Sequence, residues 1–158
     1  MTEIDRIEKV LKKLASKKKT IALAESCTGG FISHMITNIS GSSDVFERSI
    51  VCYSNRSKVE LLNVDLESIE SEGAVSETVA RQLSYNIRVL SNVDVGIGIT
   101  GIAGPTGGTK EKPVGLVYIG ISTNEKTEVS KFQFTTDRIS FKNLVLDKVI
   151  NFLENDEI

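Results

Sequence analysis

A chain of 158 residues, 40% hydrophobic and carrying a net charge of −2, is sized for one domain with a core of its own. The near-neutral balance speaks against a broad nucleic-acid surface, and no run approaches the roughly 18 apolar residues of a membrane span. The N-terminus lacks a signal-peptide core, and the two cysteines, Cys27 and Cys52, make neither a disulfide framework nor a zinc spacing, so cytoplasmic residence is expected.

Ile4, Ile7, Val10, Leu11 and Leu14 recur at helical spacing and predict an amphipathic helix over 4–16. The lysines from Lys12 to Lys19 lie toward its end, where cations complement the helix dipole. A buried strand follows over 20–25, and Phe31, Ile32, Met35, Ile36 and Ile39 predict a helix over 29–39. Gly41-Ser42-Ser43 signals a turn, Val45 to Tyr53 reads as a strand, and Ser54 is placed to cap a short helix reaching Leu62. A second short helix covers 65–70. Ser76 caps the next, with Val79, Leu83 and Ile87 on one face. Residues 93–100 form a buried strand and 101–113 a loop; 114–122 and 128–135 are two strands whose short connection makes them antiparallel. The last helix begins at Thr136 and Asp137 and carries Phe141, Leu144, Val145, Lys148 and Phe152. Helices interleaved with strands define an α/β class with helices covering a mixed sheet, in a single domain over 1–158.

Two glycine-rich segments follow apolar runs. In Ala24-Glu25-Ser26-Cys27-Thr28-Gly29-Gly30 a hydroxyl sits where a strand ends and a Gly-Gly turn opens a helix. Free backbone N–H groups collect at such a junction, so Thr28, Gly29 and Gly30 are expected to supply an oxyanion hole for a Ser26 nucleophile. The second segment runs from Gly101 through Gly104, Gly107 and Gly108 to Thr109. Its glycines let backbone amides line an anion site, with Thr106, Thr109, Lys110 and Lys112 as further donors; the bland alternative is a mobile surface loop. Gly96-Ile97-Gly98-Ile99-Thr100-Gly101 matches the dinucleotide fingerprint formally. It lies inside a strand and opens no helix, so it reads as a small-residue strand that admits close backbone approach.

Ser26 needs a base. The single histidine, His34, falls off the apolar stripe of its helix and reads as a surface residue. Lys58, on the helix after Tyr53-Ser54-Asn55, stands at the C-terminal end of a strand, where sites of open α/β sheets form. Burial lowers a lysine's pKa and makes it a base, the Ser-Lys variant of triad logic. Cys27 is a rival nucleophile, but neighbours at a strand end point to opposite sides, and spacing does not decide which faces the site.

The ordered motifs Ala24–Gly30, Tyr53-Ser54-Asn55 with Lys58, Gly73-Ala74-Val75-Ser76-Glu77, and Thr100–Pro105 through Lys112-Pro113-Val114-Gly115 closely resemble the CinA C-terminal domain family, over essentially the whole chain. The resemblance is to the stand-alone form. It implies a three-layer α/β/α domain that hydrolyses the carboxamide of nicotinamide mononucleotide to nicotinate mononucleotide and ammonia. No metal and no cofactor are implied. Carried over by motif, Ser26 would be the nucleophile, Lys58 its general base and Tyr53 a supporting hydroxyl. Thr100, Thr106 and the loop glycines 101, 104, 107 and 108 would bind ribose and phosphate, with Arg138 on phosphate or substrate. Arg48-Ser49, Cys52 and Arg56-Ser57 depart from the family's usual residues, and the added charge at Arg48 and Arg56 is expected to bear on the substrate pocket. The alternative is a non-catalytic nucleotide-binding or regulatory module using the same pocket. The partner expected is a small nucleotide, with neither nucleic acid nor membrane. A homo-oligomer is expected, with apolar positions of the first and last helices as its candidate interface.

Overall fold

One sheet with two unlike faces organises the chain. A computed structural model describes residues 1–155 and residue 158. In chain order the elements are α1 (Glu3–Ser16), β1 (Ile21–Glu25), α2 (Phe31–Thr37), a single 3₁₀ turn (Ser42–Asp44), β2 (Phe46–Val51), α3 (Asn55–Leu62), α4 (Leu66–Glu72), α5 (Glu77–Ser91), β3 (Val95–Gly101), β4 (Leu116–Ser122), β5 (Thr127–Gln133) and α6 (Arg138–Asn155). The strands lie in the order β2-β1-β3-β4-β5. β1 runs parallel to β2 and β3, and β4 runs antiparallel to β3 and β5. The result is a three-layer α/β/α fold with a mixed sheet.

Large side chains fill one face. Ile21 and Leu23 of β1, Val95, Ile97 and Ile99 of β3, and Val117, Ile119 and Ile121 of β4 pack against α1, α2 and α6. The apolar positions of α1 and α6 that the sequence offered to a subunit interface (Ile7, Val10, Leu11, Leu14, Phe141, Val145) are instead consumed by this chain's own core. Ile4, Ile139 and Leu144 stay exposed.

The opposite face is built from small residues: Ala22 and Ala24 on β1, Gly96 and Gly98 on β3, Gly120 on β4. The register pairs Ala24 with Gly98, and Gly98 with Gly120. Here α5 lies almost on the backbone. A Cβ on Gly98 would stand 2.5 Å from Ser84 N, one on Gly120 2.5 Å from Ala80 O, and one on Gly96 would overlap Ser84 O. The fingerprint-like run therefore serves close helix–sheet approach, as its position inside a strand predicts.

Element ends shift for local reasons. α2 starts at Phe31 and not at Gly29, because Gly29 (φ 59) and Gly30 (φ 97) occupy the left-handed region. α6 starts at Arg138, because Asp137 accepts from the amides of Ile139 and Ser140, both at 3.0 Å, and caps the helix. β2 ends at Val51, two residues before the predicted end, and the Cys52 amide makes the last bond to β1, to Glu25 O at 2.9 Å. No helix among the described residues is long and apolar enough to cross a membrane.

Replacing Gly98 or Gly120 with alanine forces α5 off the sheet, and each change is expected to cost about 1–3 kcal/mol of unfolding free energy in urea titrations, the usual price of overpacking. Gly41, where nothing lies within 4 Å of an added Cβ, should lose only the about 1 kcal/mol that a positive φ imposes on alanine.

Candidate active site

The C-terminal ends of the three parallel strands meet at one edge of the sheet, and each contributes one part of a cleft. Ser26 follows β1, Lys58 lies on the helix after β2, and Thr100 and Gly101 end β3. The cleft encloses about 280 Å³; Ser26, Lys58 and Thr100 line it together with Tyr53, Asn55, Gly104, Thr106, Gly107 and Arg138.

Alternation along β1 decides which way each residue of the Glu25-Ser26-Cys27 run faces. Leu23 and Glu25 face α2, so Ser26 turns to the small-residue face and toward α3. Its Oγ is 2.9 Å from Lys58 Nζ. Cys27 packs against the apolar core of α1, α2 and α6 side chains while still lining the cleft beside Ser26, and burial pushes its thiol up to about 12. It is a packed thiol, not a thiolate poised to attack.

Lys58 is 2% exposed. Besides Ser26, its Nζ meets the carbonyls of Cys52 at 2.9 Å and Tyr53 at 3.1 Å, and no carboxylate pairs with it among the described residues. Those two carbonyls are free for it because β2 ends at Val51. Desolvation lowers its pKa below the ordinary lysine value.

Glu25 has a place that the sequence reading did not assign. The carboxylate is fully buried. It accepts from Thr28 Oγ1 (2.7 Å) and from the amides of Gly30 (3.0 Å), Ile32 (3.2 Å) and Ser33 (2.8 Å). The Gly29 amide is bonded to Ser26 O at 3.0 Å. Thr28, Gly29 and Gly30, expected as an oxyanion hole, thus have their donors turned inward and lie outside the cleft lining, except that the Thr28 amide has no acceptor among the described residues. A signal for Glu25 existed in the sequence: α2 has a glycine N-cap and no acid in its first turn. Its orphan amides needed an acceptor from outside the helix.

The other expected site residues divide. Thr100 sits on the cleft floor and gives its proton to Ala74 O at 2.8 Å, which ties the segment before α5 to β3. Tyr53 lines the cleft, but its hydroxyl accepts from Arg138 Nη2 at 3.0 Å; only its backbone carbonyl touches Lys58. Arg138 reaches across to Gly104 O at 2.8 Å and has no carboxylate partner among the described residues. The amides of Ala103, Gly104, Thr106 and Gly107 likewise have no acceptor among the described residues. Gly108 faces away and packs on Val114. His34 is exposed beside Asn38. Arg48 and Arg56 pair with Glu47 (3.1 Å) and Glu60 (2.6 Å), outside the cleft, and so add no charge to its lining.

Among the described residues no cluster of three or more His, Cys, Asp and Glu side chains is arranged to hold a metal. A second cleft, of about 290 Å³, opens at the other end of the sheet. Four of its charges pair with each other, Lys19 with Asp94 and Lys126 with Glu128, and Glu125 lines it too.

Comparison with known proteins agrees with this architecture. The model of the CinA C-terminal domain matches residues 4–156. A protein of Thermoanaerobacter pseudethanolicus described as competence-damage inducible is 52% identical over 131 residues, which is 83% of this chain and 32% of that protein. A CinA-like protein of Prochlorococcus marinus is 47% identical over 147 residues, covering 91% of this chain and 35% of its own length. The chain therefore spans about a third of the curated relatives it matches. Among solved structures, the competence/damage inducible protein CihA of Agrobacterium tumefaciens superposes with a TM-score of 0.94 at 30% identity, covering 98% of this chain and 95% of its own. A CinA superfamily protein of Klebsiella pneumoniae gives 0.92 at 25% identity, covering 97% and 96%. With a family model matched along nearly its whole length, and with relatives and solved structures that share its sheet and helices, the chain belongs to the CinA C-terminal domain family.

Proposed function

We propose that this domain hydrolyses the carboxamide of nicotinamide mononucleotide, releasing ammonia and nicotinate mononucleotide, with Ser26 as nucleophile and Lys58 as its base. The observation that carries the reading is the hydrogen-bond set of Lys58. A neutral amine has two N–H donors and one lone pair. Two of its three neighbours, the carbonyls of Cys52 and Tyr53, can only accept, so they take the two donors. In the ammonium form Nζ donates to all three; in the neutral form the lone pair is left for the third neighbour, and the Ser26 hydroxyl donates to Nζ across the same 2.9 Å. Desolvation favours this neutral form.

The reaction follows. Ser26 Oγ attacks the carboxamide carbon as its proton passes to Lys58. The tetrahedral oxyanion collapses, the C–N bond breaks, and the ammonium form of Lys58 protonates the departing nitrogen, so that ammonia leaves. Water, deprotonated by the regenerated amine, then cleaves the acyl-enzyme and frees Ser26. Donors for the oxyanion, each typically worth roughly 3–4 kcal/mol, are sought among cleft amides that lack an internal partner, not at the amides bound to Glu25. Arg138 and the amides of Gly104, Thr106 and Gly107 suit the phosphate: they are donors without an anionic partner, on one side of the cleft. The alternative of a pure binding module gains nothing from a buried amine aimed at a serine.

Ammonia release from nicotinamide mononucleotide, without added metal, tests the reading. Ser26→Ala and Lys58→Met should each lower kcat by roughly 10³-fold or more, the scale seen when a nucleophile or its base is removed. Cys27→Ala should keep most of the turnover. A fully active Ser26→Ala protein, or a wild type that binds the nucleotide but releases no ammonia, would sink the proposal.

The pH dependence has a definite sign. The working form of Lys58 is neutral, so kcat/KM should rise with pH through a midpoint below the ordinary value of 10.5. Between that lowered pKa and 10.5 the unfolded chain holds a proton that the folded chain has released. Stability of the wild type should therefore rise with pH across this window relative to Lys58→Met, measured by denaturant titration at several pH values.

A further inference from the structure

Tyr53 lines the cleft and is anchored at both of its ends. Its backbone carbonyl is 3.1 Å from Lys58 Nζ, and that amine is 2.9 Å from Ser26 Oγ, so the residue begins two hydrogen-bond lengths from the nucleophile. The far end is fixed too. The hydroxyl accepts from Arg138 Nη2 at 3.0 Å, and Arg138 is tied to Gly104 O on the opposite wall. Among the described residues no bond joins this hydroxyl to Ser26 or Lys58. Between its two anchored ends the tyrosine is 59% exposed, in a cleft whose floor residues are nearly inaccessible. No aromatic ring or side-chain cation covers its face among the described residues.

An aromatic side chain held in place at the mouth of a polar cleft, with its face bare, is a preorganised stacking surface. The negative face of the ring attracts a cation that lies flat on it. The hydroxyl accepts from Arg138, and among the described residues it makes no bond to Ser26 or Lys58 that would carry a proton between them.

We propose that Tyr53 is a stacking platform for a planar, cationic aromatic ring of the substrate, and not a proton donor in the reaction. The proposal rests on the amidohydrolase reading of the same cleft and names the residue that receives the substrate's ring. The carboxamide must be borne directly on a ring, because the ring then lies one bond from the carbon that Ser26 attacks and comes to rest over Tyr53. Arg138 gives one nitrogen to the tyrosine hydroxyl and one to Gly104 O, and its remaining N–H groups are left for the substrate's anion.

The test separates the ring from the hydroxyl and the platform from the chemistry. Calorimetric titrations use the Ser26→Ala background, in which turnover is blocked, with two probes: nicotinamide mononucleotide, and ribose 5-phosphate, which lacks the ring. Tyr53→Phe and Tyr53→Leu both lose the bond to Arg138, so comparing them isolates the ring. Nicotinamide mononucleotide should bind at least about tenfold more tightly than ribose 5-phosphate to the Tyr53 and Tyr53→Phe proteins, as expected for a cation held on an aromatic face. In Tyr53→Leu that preference should shrink to within about threefold while ribose 5-phosphate binds as before. With Ser26 intact, Tyr53→Phe should lower kcat/KM by less than about fivefold, and Tyr53→Leu by more than about tenfold, through KM.

A preference for the ring-bearing nucleotide that survives in Tyr53→Leu overturns the platform, as does its absence from the Tyr53 protein. Loss of kcat by about 100-fold in Tyr53→Phe with KM unchanged overturns it as well, and returns the hydroxyl to proton transfer. If the ring-dependent preference is found but intact protein releases no ammonia, the platform stands and the hydrolytic reading falls. If ammonia is released and the preference is missing, the reverse holds.

Discussion

A primary amine taken out of water with no carboxylate to face it is the constraint on which this cleft depends. Lys58 is 2% exposed, and its partners are two backbone carbonyls and one hydroxyl. Nothing in that set rewards a positive charge as a carboxylate would, so the neutral form gains. The backbone accommodates the amine at some expense to the sheet: β2 gives up its last two predicted residues, and the carbonyls of Cys52 and Tyr53 turn to Nζ instead of extending the ladder. A structural lysine is normally left in water, where its charge costs nothing. Burial of this one is a stability loss of the sort found at working sites.

The glycine face of the sheet is the second determinant, and it acts through distance. Because Gly96, Gly98 and Gly120 carry no side chain, α5 comes down onto the strand backbones. The segment before α5 descends with it, and Ala74 O reaches Thr100 Oγ1 at 2.8 Å. A thicker layer would lift Ala74 and Val75 away from the floor they line. The same small residues that counterfeit a dinucleotide fingerprint thus set the depth of the cleft.

Much of this was legible in the chain because it is local. Helical spacing located α1, α2, α5 and α6; Ser54 and Ser76 cap α3 and α5 as their positions foretell, accepting from Ser57 N and Val79 N. A short connection made β4 and β5 antiparallel. Ser26 and Lys58 were placed at one sheet edge by the strand–turn–helix order, and the structure brings them into contact. What escaped was the allocation of hydrogen-bond donors, which is settled by three-dimensional distance and not by sequence spacing. A Gly-Gly turn before a helix advertises free amides, yet here Glu25, the residue just before the serine, takes them. Tyr53 has the residue type for a catalytic hydroxyl, but the one bond its oxygen makes among the described residues comes from a guanidinium 85 positions further along the chain. The charges of Arg48 and Arg56, conspicuous in the sequence, are answered locally by Glu47 and Glu60.

That allocation divides the labour of the cleft between its two walls. A carboxylate against the first turn of α2 offsets the positive end of the helix and uses its amides, so the β1–α2 turn can present a nucleophile but offers little to a developing negative charge. The opposite wall is the reverse. Ala103, Gly104, Thr106 and Gly107 have amides without an internal acceptor, and Arg138 contacts only neutral oxygens. An anion entering the cleft meets most of its free donors on that side; among the described residues the amides of Cys27 and Thr28 also lack an acceptor, and Cys27 lines the cleft. The loop after β3 costs conformational entropy to order, and its glycines increase that cost. An entering anion offsets it by pairing with amides that fold back on nothing in the protein. On the proposed reading, attack belongs to the wall built from β1 and α3, and the holding of the substrate's phosphate to the wall built from the β3–β4 loop and the start of α6.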